Sequence, residues 1–462
     1  MERTTAKKNK YEIDMCNGTI MDKLISFSLP LMLSGILQLM FNAVDIIVVG
    51  RFSGSQALAA VGSTSALINV FTNLFIGISL GANVLTARFY AAGREKEVSE
   101  TVHTAITLAL VSGIVMALVG LVFSRGALAL MGTPDDVIGL SALYMRIYFL
   151  GMPFFMLYNY GAAILRAVGD TKRPLLFLMI AGVINACLNM VLVIVFKLGV
   201  AGVAIATVIS QMISCVLVLR CLCRSESSYR LRFSELGMKG YYLKQIFSVG
   251  VPAGIQSTVI NFSNVLLQSS VNSFGSTAMA GYTAANNLLG FLYVSVNSIT
   301  QACMSFTSQN YGVGKLKRMD RVLADCMILS VVVAVALGCI CYGFGPEILQ
   351  IYTEDAEVIA CGMEILAYTT ITYFLCGWMD LFPGALRGMG YSAVPMVLSV
   401  IGTVGTRVVW IFGIFPYHRS LAILFISYPA SWIITIILQV VCFYFVRRRV
   451  HRRSQTPAGQ EA

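Results

Sequence analysis

Long apolar stretches recur from residue 24 to residue 446, parted by short polar segments. None alternates with the period of two that marks a half-buried strand. Each is about 20 residues or longer, enough to cross ~30 Å of hydrocarbon as a helix. The pattern predicts twelve spans, at 24–49, 57–82, 101–123, 138–165, 174–196, 199–221, 244–272, 278–306, 322–344, 358–386, 394–415 and 421–446. Where no water can pair with the backbone, a chain crosses by satisfying its own amide groups. The expected fold is an all-α polytopic membrane protein. The first 22 residues are polar and mixed in charge, with no short apolar core and cleavage site after them, so no signal peptide is expected.

Two carboxylates interrupt the apolar pattern. Of the 22 in the chain, Asp45 and Asp380 fall well inside spans, while Asp325 and Glu364 lie nearer span ends and read as interfacial. A carboxylate at mid-helix costs about 2.5–3.5 kcal/mol on insertion scales, so its retention asks for a reason. Asp45 has two readings. It is a structural partner for a cation such as Arg146 or for neighbouring Asn and Thr, or it carries H+ or Na+. Intramembrane acids are by default pathway residues. Desolvation disfavours the charged form of a carboxyl, which suits a group that loads on one side and releases on the other. Asp380 lies seven residues before Arg387 and close to Pro383, where an ion pair or a helix-end site fits as well as a coupling role. Pro30 precedes Asp45 by fifteen residues on the same span, and a kink there would move Asp45 between environments.

Composition changes the picture little. The chain is 57% hydrophobic and 12% charged, against about 25% charge in a soluble domain. Mean hydropathy is +0.78. The net charge of +11 could suggest nucleic acid, but 27 of the 33 lysines and arginines fall on the two polar ends and on alternate connections between spans. That is the positive-inside pattern, with both termini cytoplasmic, and it calls on a lipid bilayer, not on nucleic acid. Most of the twelve cysteines sit within spans, where a thiol acts as a small apolar group, and no histidines stand at ligand spacing from them. No metal site is expected.

The chain also repeats itself. "RFYAAGREKEVSE" at 88–100 is echoed by "QNYGVGKLKRMDR" at 309–321, and "ILRAVGDTKRP" at 164–174 by "ALRGMGYSAVP" at 385–395, each 221 residues on; Pro30 and Pro252 are 222 apart. Six spans were therefore duplicated into twelve. Six is even, so the halves share orientation, as parallel repeats do. The expected organisation is an N-terminal arm (1–23), an N-lobe (24–222), a linker (223–243), a C-lobe (244–446) and a basic tail (447–462). Paired bundles with a cavity between them are the layout of a secondary transporter that works by alternating access.

Other energy sources and chemistries are poorly served. Gly314-Lys315 is followed by Leu316 and preceded at position 309 by Gln309, so no phosphate-binding loop forms there. Three histidines, at 103, 418 and 451, cannot pair across a membrane to hold haem, and no nucleophile stands beside a base. The chain is expected to be neither an enzyme nor dependent on a cofactor.

"VDIIVVGRFSG" at 44–54, "QNYGVGK" at 309–315, the paired "LRAVGDTKRP" and "LRGMGYSAVP", and "NACLNMVLVIVFKLGVAGVAIATVIS" at 185–210 resemble the multidrug and toxic compound extrusion family, in its prokaryotic form. The resemblance spans about residues 22–446. It implies twelve helices in two six-helix lobes, exporting cationic or amphipathic compounds in exchange for H+ or Na+. In one branch of the family, the coupling site maps onto Asp45, Asn185, Asn189 and Thr207. Position 189 departs from the pattern, with asparagine in place of an acid. A glutamate of a second branch maps onto Gln256, so a C-lobe ion site rests on Gln256 and Asp380 alone. Met152, Met156 and Tyr158 on the fourth span, with Tyr282, Asn286, Asn287 and Tyr293 on the eighth, are candidate substrate contacts, since flexible Met and aromatic surfaces suit varied ligands. Ordinary helix packing is the simpler account of any one of them taken singly.

The expected protein is a plasma-membrane efflux antiporter for small molecules, active as a monomer. The near alternative is a flippase for lipid-linked intermediates in the same broad superfamily. That should line its cavity with several Arg or Lys, whereas only Arg146 and Arg407 lie within spans. The distant alternative is an ion channel, whose symmetric filter a two-lobe pseudo-dimer fits poorly.

Overall fold

The computed structural model describes residues 11–455, and among these every extended element is helical. The first repeat runs α1 (Met21–Phe52), α2 (Gly54–Ala91), α3 (Glu95–Leu130), α4 (Asp135–Leu150), α5 (Met152–Ala167), α6 (Lys172–Asn189) and α7 (Gly199–Cys223). The second runs α8 (Gly240–Asn272), α9 (Ser276–Gly312), α10 (Leu316–Gly343), α11 (Gly345–Gln350), α12 (Ala356–Thr369), α13 (Tyr373–Gly388), α14 (Ala393–Ser399), α15 (Thr406–Val409) and α16 (Leu421–Gln455). Taking α4 with α5, α12 with α13, and α14 with α15, and setting aside the six-residue α11, these form twelve transmembrane helices in two six-helix repeats.

The duplication is carried into the boundaries. α2 and α9 end, α3 and α10 begin, and α5 and α13 both begin and end 221 residues apart. Left-handed glycines follow the same shift: Gly54, Gly93 and Gly169 have φ of 84°, 70° and 99°, and Gly275, Gly314 and Gly390 have 101°, 71° and 91°. Such φ values favour glycine, so turn chemistry was copied along with the helices. Helix starts are locally sensible too. Asp355 accepts a bond from the Glu357 amide at 2.9 Å to cap α12. Asp135 and Asp136 open α4, where the helix dipole favours acids.

The single spans expected at 138–165 and 358–386 are each broken. α4 and α5 meet at 47°, and α12 and α13 at 51°. The first break follows from Gly151 and Pro153, since proline removes a helical donor and tolerates only a first turn. At the second, the hydroxyls of Thr369, Thr370 and Thr372 donate to carbonyls four residues back, at 2.7, 2.6 and 2.8 Å. Back-bonding of that kind competes with the backbone ladder and bends helices.

The contacts divide the described chain into two units, and the division falls inside two helices. Residues up to Ile13 and Leu33–Gly254 form one unit; Asp14–Met32 and the chain from Ile255 form the other. Both helix crossings come two residues after a proline, Pro30 in α1 and Pro252 in α8. The expected linker at 223–243 is not where contacts divide, because the first unit holds it. Tyr229 and Leu231 are buried, the Tyr229 hydroxyl donates to Glu12 Oε1 at 2.7 Å, and the Arg232 amide donates to His103 Nε2 at 3.1 Å. Glycine lets the start of α8 close on α2: a Cβ on Gly77 would strike the backbone of Gly254.

Candidate functional site

Three helices of the first unit converge on Asp45. α1 supplies the carboxylate, α6 supplies Asn185 and Asn189 one turn apart on one face, and α7 supplies Thr207. Asn189 Nδ2 donates to Asp45 Oδ1 and to Asn185 Oδ1 at 3.2 Å. Thr207 Oγ1 lies 3.5 Å from Asp45 Oδ2 and also donates to its own Val203 carbonyl at 3.0 Å. Asn185 Nδ2 reaches Thr207 Oγ1 at 3.5 Å. The four side chains named from the sequence thus form one connected cluster. Asp45 is 9% exposed and Asn189 fully buried. At Asn189, α6 passes into a π-helical turn, Met190–Val195, the kind of irregularity that often accompanies functional sites.

The cluster is neutral apart from its acid. Among the described residues no ion pair reaches Asp45; Arg146, the cation considered for it, is exposed on α4. The buried Asn189 Oδ1 has no hydrogen-bond partner among the described residues. A carboxylate has room for about four donors and this one has two, so oxygen lone pairs remain unused. Such a set is able to take a proton on Asp45 or to surround a small cation with one carboxylate and uncharged oxygens.

The second unit is built differently. Gln256 is buried, and its Oε1 accepts from Arg387 Nη2 at 2.7 Å. Asp380 is half-buried and close enough to Arg387 to interact electrostatically, but the two do not close to an ion pair. Gln256 and Asp380 therefore meet around an arginine.

The substrate candidates separate. Met152 and Met156 are fully buried and Tyr158 nearly so, all packed in the first unit's core, so they offer a ligand no surface. The Tyr158 hydroxyl is spent on the Pro174 carbonyl at 3.2 Å. Tyr282 is buried too, its hydroxyl 3.1 Å from that of Tyr428. Asn286, Asn287 and Tyr293 are exposed on α9. With Asn297 and Gln301 they continue a polar stripe at helical spacing, and α8 carries another at Ser257, Asn261, Asn264 and Gln268. These stripes hold down the hydropathy of α8 and α9, which are 33 and 37 residues long. A cavity of about 490 Å³ in the first unit is lined by Phe52, Leu140, Leu143, Val193, Lys197 and Val200 among others, and by none of the candidates.

One residue of consequence was given no role from the sequence: Arg407, 3% exposed, which bonds to Ser263, Asn264 and Ser431. Its only sequence signal is an arginine inside an apolar span.

Comparison with known proteins agrees with this architecture. The MatE family model matches twice, over residues 30–191 and 252–412, once in each repeat. "Probable multidrug resistance protein YoeA" of Bacillus subtilis is 32% identical over 92% of this chain and 93% of its own. "Multidrug export protein MepA" of Staphylococcus aureus is 22% identical over 82% of this chain and 84% of its own. A solved structure, described as the outward-facing conformation of a multidrug resistance MATE family transporter of the MOP superfamily, superposes with a TM-score of 0.87 at 19% identity, covering 97% of this chain and all of the other. A twice-matched model and a near full-length relative above 30% identity place the chain in the MatE family, the multidrug and toxic compound extrusion transporters.

Proposed function

We propose that this membrane protein is a secondary active antiporter that exports cationic or amphipathic organic compounds in exchange for H+ or Na+. Alternating access carries the exchange, with Asp45 as the coupling group. The observation that carries this reading is the acid itself: a buried carboxylate inside a spanning helix, held by Asn189 and Thr207 and, among the described residues, by no cation. An acid kept for structure alone is expected to have its charge neutralised, and intramembrane acids otherwise mark ion pathways. Moving one charge through 100 mV is worth about 2.3 kcal/mol, enough for roughly a fifty-fold substrate gradient.

Sequence relatives named for multidrug resistance and multidrug export support the cargo class. The basic connections support cytoplasmic termini and a plasma-membrane setting. The placement of Pro30 two residues before the chain passes from one unit to the other makes it the natural bend in α1.

The test is efflux of a fluorescent organic cation from proteoliposomes under an imposed pH gradient, an imposed Na+ gradient, or neither. Wild type should exchange under one gradient, and that gradient names the ion. Asp45→Asn should insert normally and fail to respond. A variant that still responds at full rate would remove Asp45 from the mechanism.

A further inference from the structure

The second unit buries a guanidinium with no acid closed onto it. Arg407, on α15, is 3% exposed. Its Nη1 donates to Ser263 Oγ at 2.8 Å and Asn264 Oδ1 at 2.7 Å, and its Nε to Ser431 Oγ at 3.4 Å. The guanidinium lies over the Tyr428 ring, 4.7 Å from the centroid. Tyr282, Tyr373 and Cys376 stand around it, and no Asp or Glu forms an ion pair with it among the described residues. Every group that touches the charge is neutral, and Nη2 takes no hydrogen bond among the described residues. Burying a charge that no opposite charge compensates is costly, and an intramembrane arginine ordinarily finds a counter-charge or lines a pathway.

A second donor stands beside the first. The hydroxyls of Tyr282 and Tyr428 are 3.1 Å apart. One phenol proton serves their mutual bond, and the other stays available to an acceptor. Access is present as well: Asn264, which fixes Nη1, is half-buried and belongs to the polar stripe of α8, whose Ser257, Asn261 and Gln268 are exposed.

We propose that Arg407 and the Tyr282–Tyr428 pair form an anion-binding site in the second unit, which takes the carboxylate of an amphipathic zwitterionic substrate. Planar guanidinium and carboxylate match in shape, and Ser263, Asn264 and Ser431 hold the fork so that Nη2 is left to the ligand. The site rests on the exporter reading and deepens it. Substrates are selected for a negative group as well as for an apolar body.

The experiment uses a matched pair of dyes, rhodamine B with its free carboxylate and its ethyl ester, which keeps the cation and loses the acid. Binding to the purified full-length protein in neutral detergent is read by fluorescence anisotropy, with no gradient. Wild type should bind the acid about tenfold or more tightly than the ester. In Arg407→Gln that ratio should fall to near one, and Arg407→Lys should retain part of it. Equal binding of the two dyes by wild type overturns the site, and this arm needs no variant to fold. A ratio unchanged in a folded Arg407→Gln, or a loss shared equally by both dyes, also overturns it. Adding phosphatidylglycerol separates the sources of the anion: a preference abolished by the lipid assigns the site to a headgroup and sinks the substrate reading. Failure of gradient-driven efflux with the binding preference intact counts against the exporter reading and leaves this site standing.

Discussion

In the unit that contains Leu33–Gly254, a carboxylate, Asp45, is buried among helix interiors; in the unit that contains the chain from Ile255, a guanidinium, Arg407, is buried there. Asp45 is held by an amide and a hydroxyl, and Arg407 by two hydroxyls and an amide oxygen. The two repeats share helix boundaries and left-handed turns at a shift of 221, yet at that shift Asp45 corresponds to Leu266 and Arg407 to Ala186. Arg166 and Arg387, in the last turns of α5 and α13, are repeated. Packing positions were kept because close-packed helices tolerate little change. The buried charges at positions 45 and 407 have no counterpart in the other repeat, and each is held by its own neutral shell.

The comparison breaks first at Asp45. Asp45→Asn should lower gradient-driven efflux by about tenfold or more, measured in vesicles loaded with a cationic dye. If the variant keeps its response, the first unit's acid is a packing element like any other. The same site is sharpened by Asn189→Asp, which adds a second carboxylate beside the first. Two acids make a more favourable cage for a metal cation than one, so stimulation by an imposed Na+ gradient should rise severalfold relative to a pH gradient. An unchanged ratio would show that position 189 does not choose the ion.

In the second unit, Gln256→Leu removes the oxygen that Arg387 Nη2 donates to. Leaving a buried charged donor unpaired should cost about 1–3 kcal/mol, read as a lowered unfolding temperature in detergent. No loss would mean that Arg387 finds another partner, and Asp380 is the group placed to receive it. The smallest effect tests the likeness of the repeats. Gly93 and Gly314 have φ of 70° and 71°, and a Cβ on either would meet nothing within 4 Å. Alanine at either position should therefore cost the same, about 1 kcal/mol, from backbone strain alone. Unequal costs would show that the two turns have diverged as the charged sites have.

Much of this was legible before any coordinates. The twelve spans follow from apolar length, and the duplication from three echoes at nearly one shift, because hydrophobic run length and turn glycines are local properties. Asp45 was conspicuous because a carboxylate in an apolar run has few neighbours to hide among. Its partners were legible only through family resemblance, since Asn185, Asn189 and Thr207 lie on helices far along the chain. The breaks at Gly151 and at Thr369 to Thr372 were missed because length and hydropathy do not register a bend. The burial of Met152, Met156 and Tyr158 could not be read for a related reason: residue type does not say which side of a helix its neighbours cover.

The sequence by itself determined that the chain crosses a membrane many times, that it is two copies of one plan, and that an acid lies where acids are costly. Tertiary structure alone decided which groups surround that acid, that no cation among the described residues neutralises it, and that none of their acids closes onto an arginine in the other repeat. The physical reason is range. Hydrophobicity and backbone preference act along the chain, whereas the cost of a buried charge depends on what distant segments bring within about 4 Å of it.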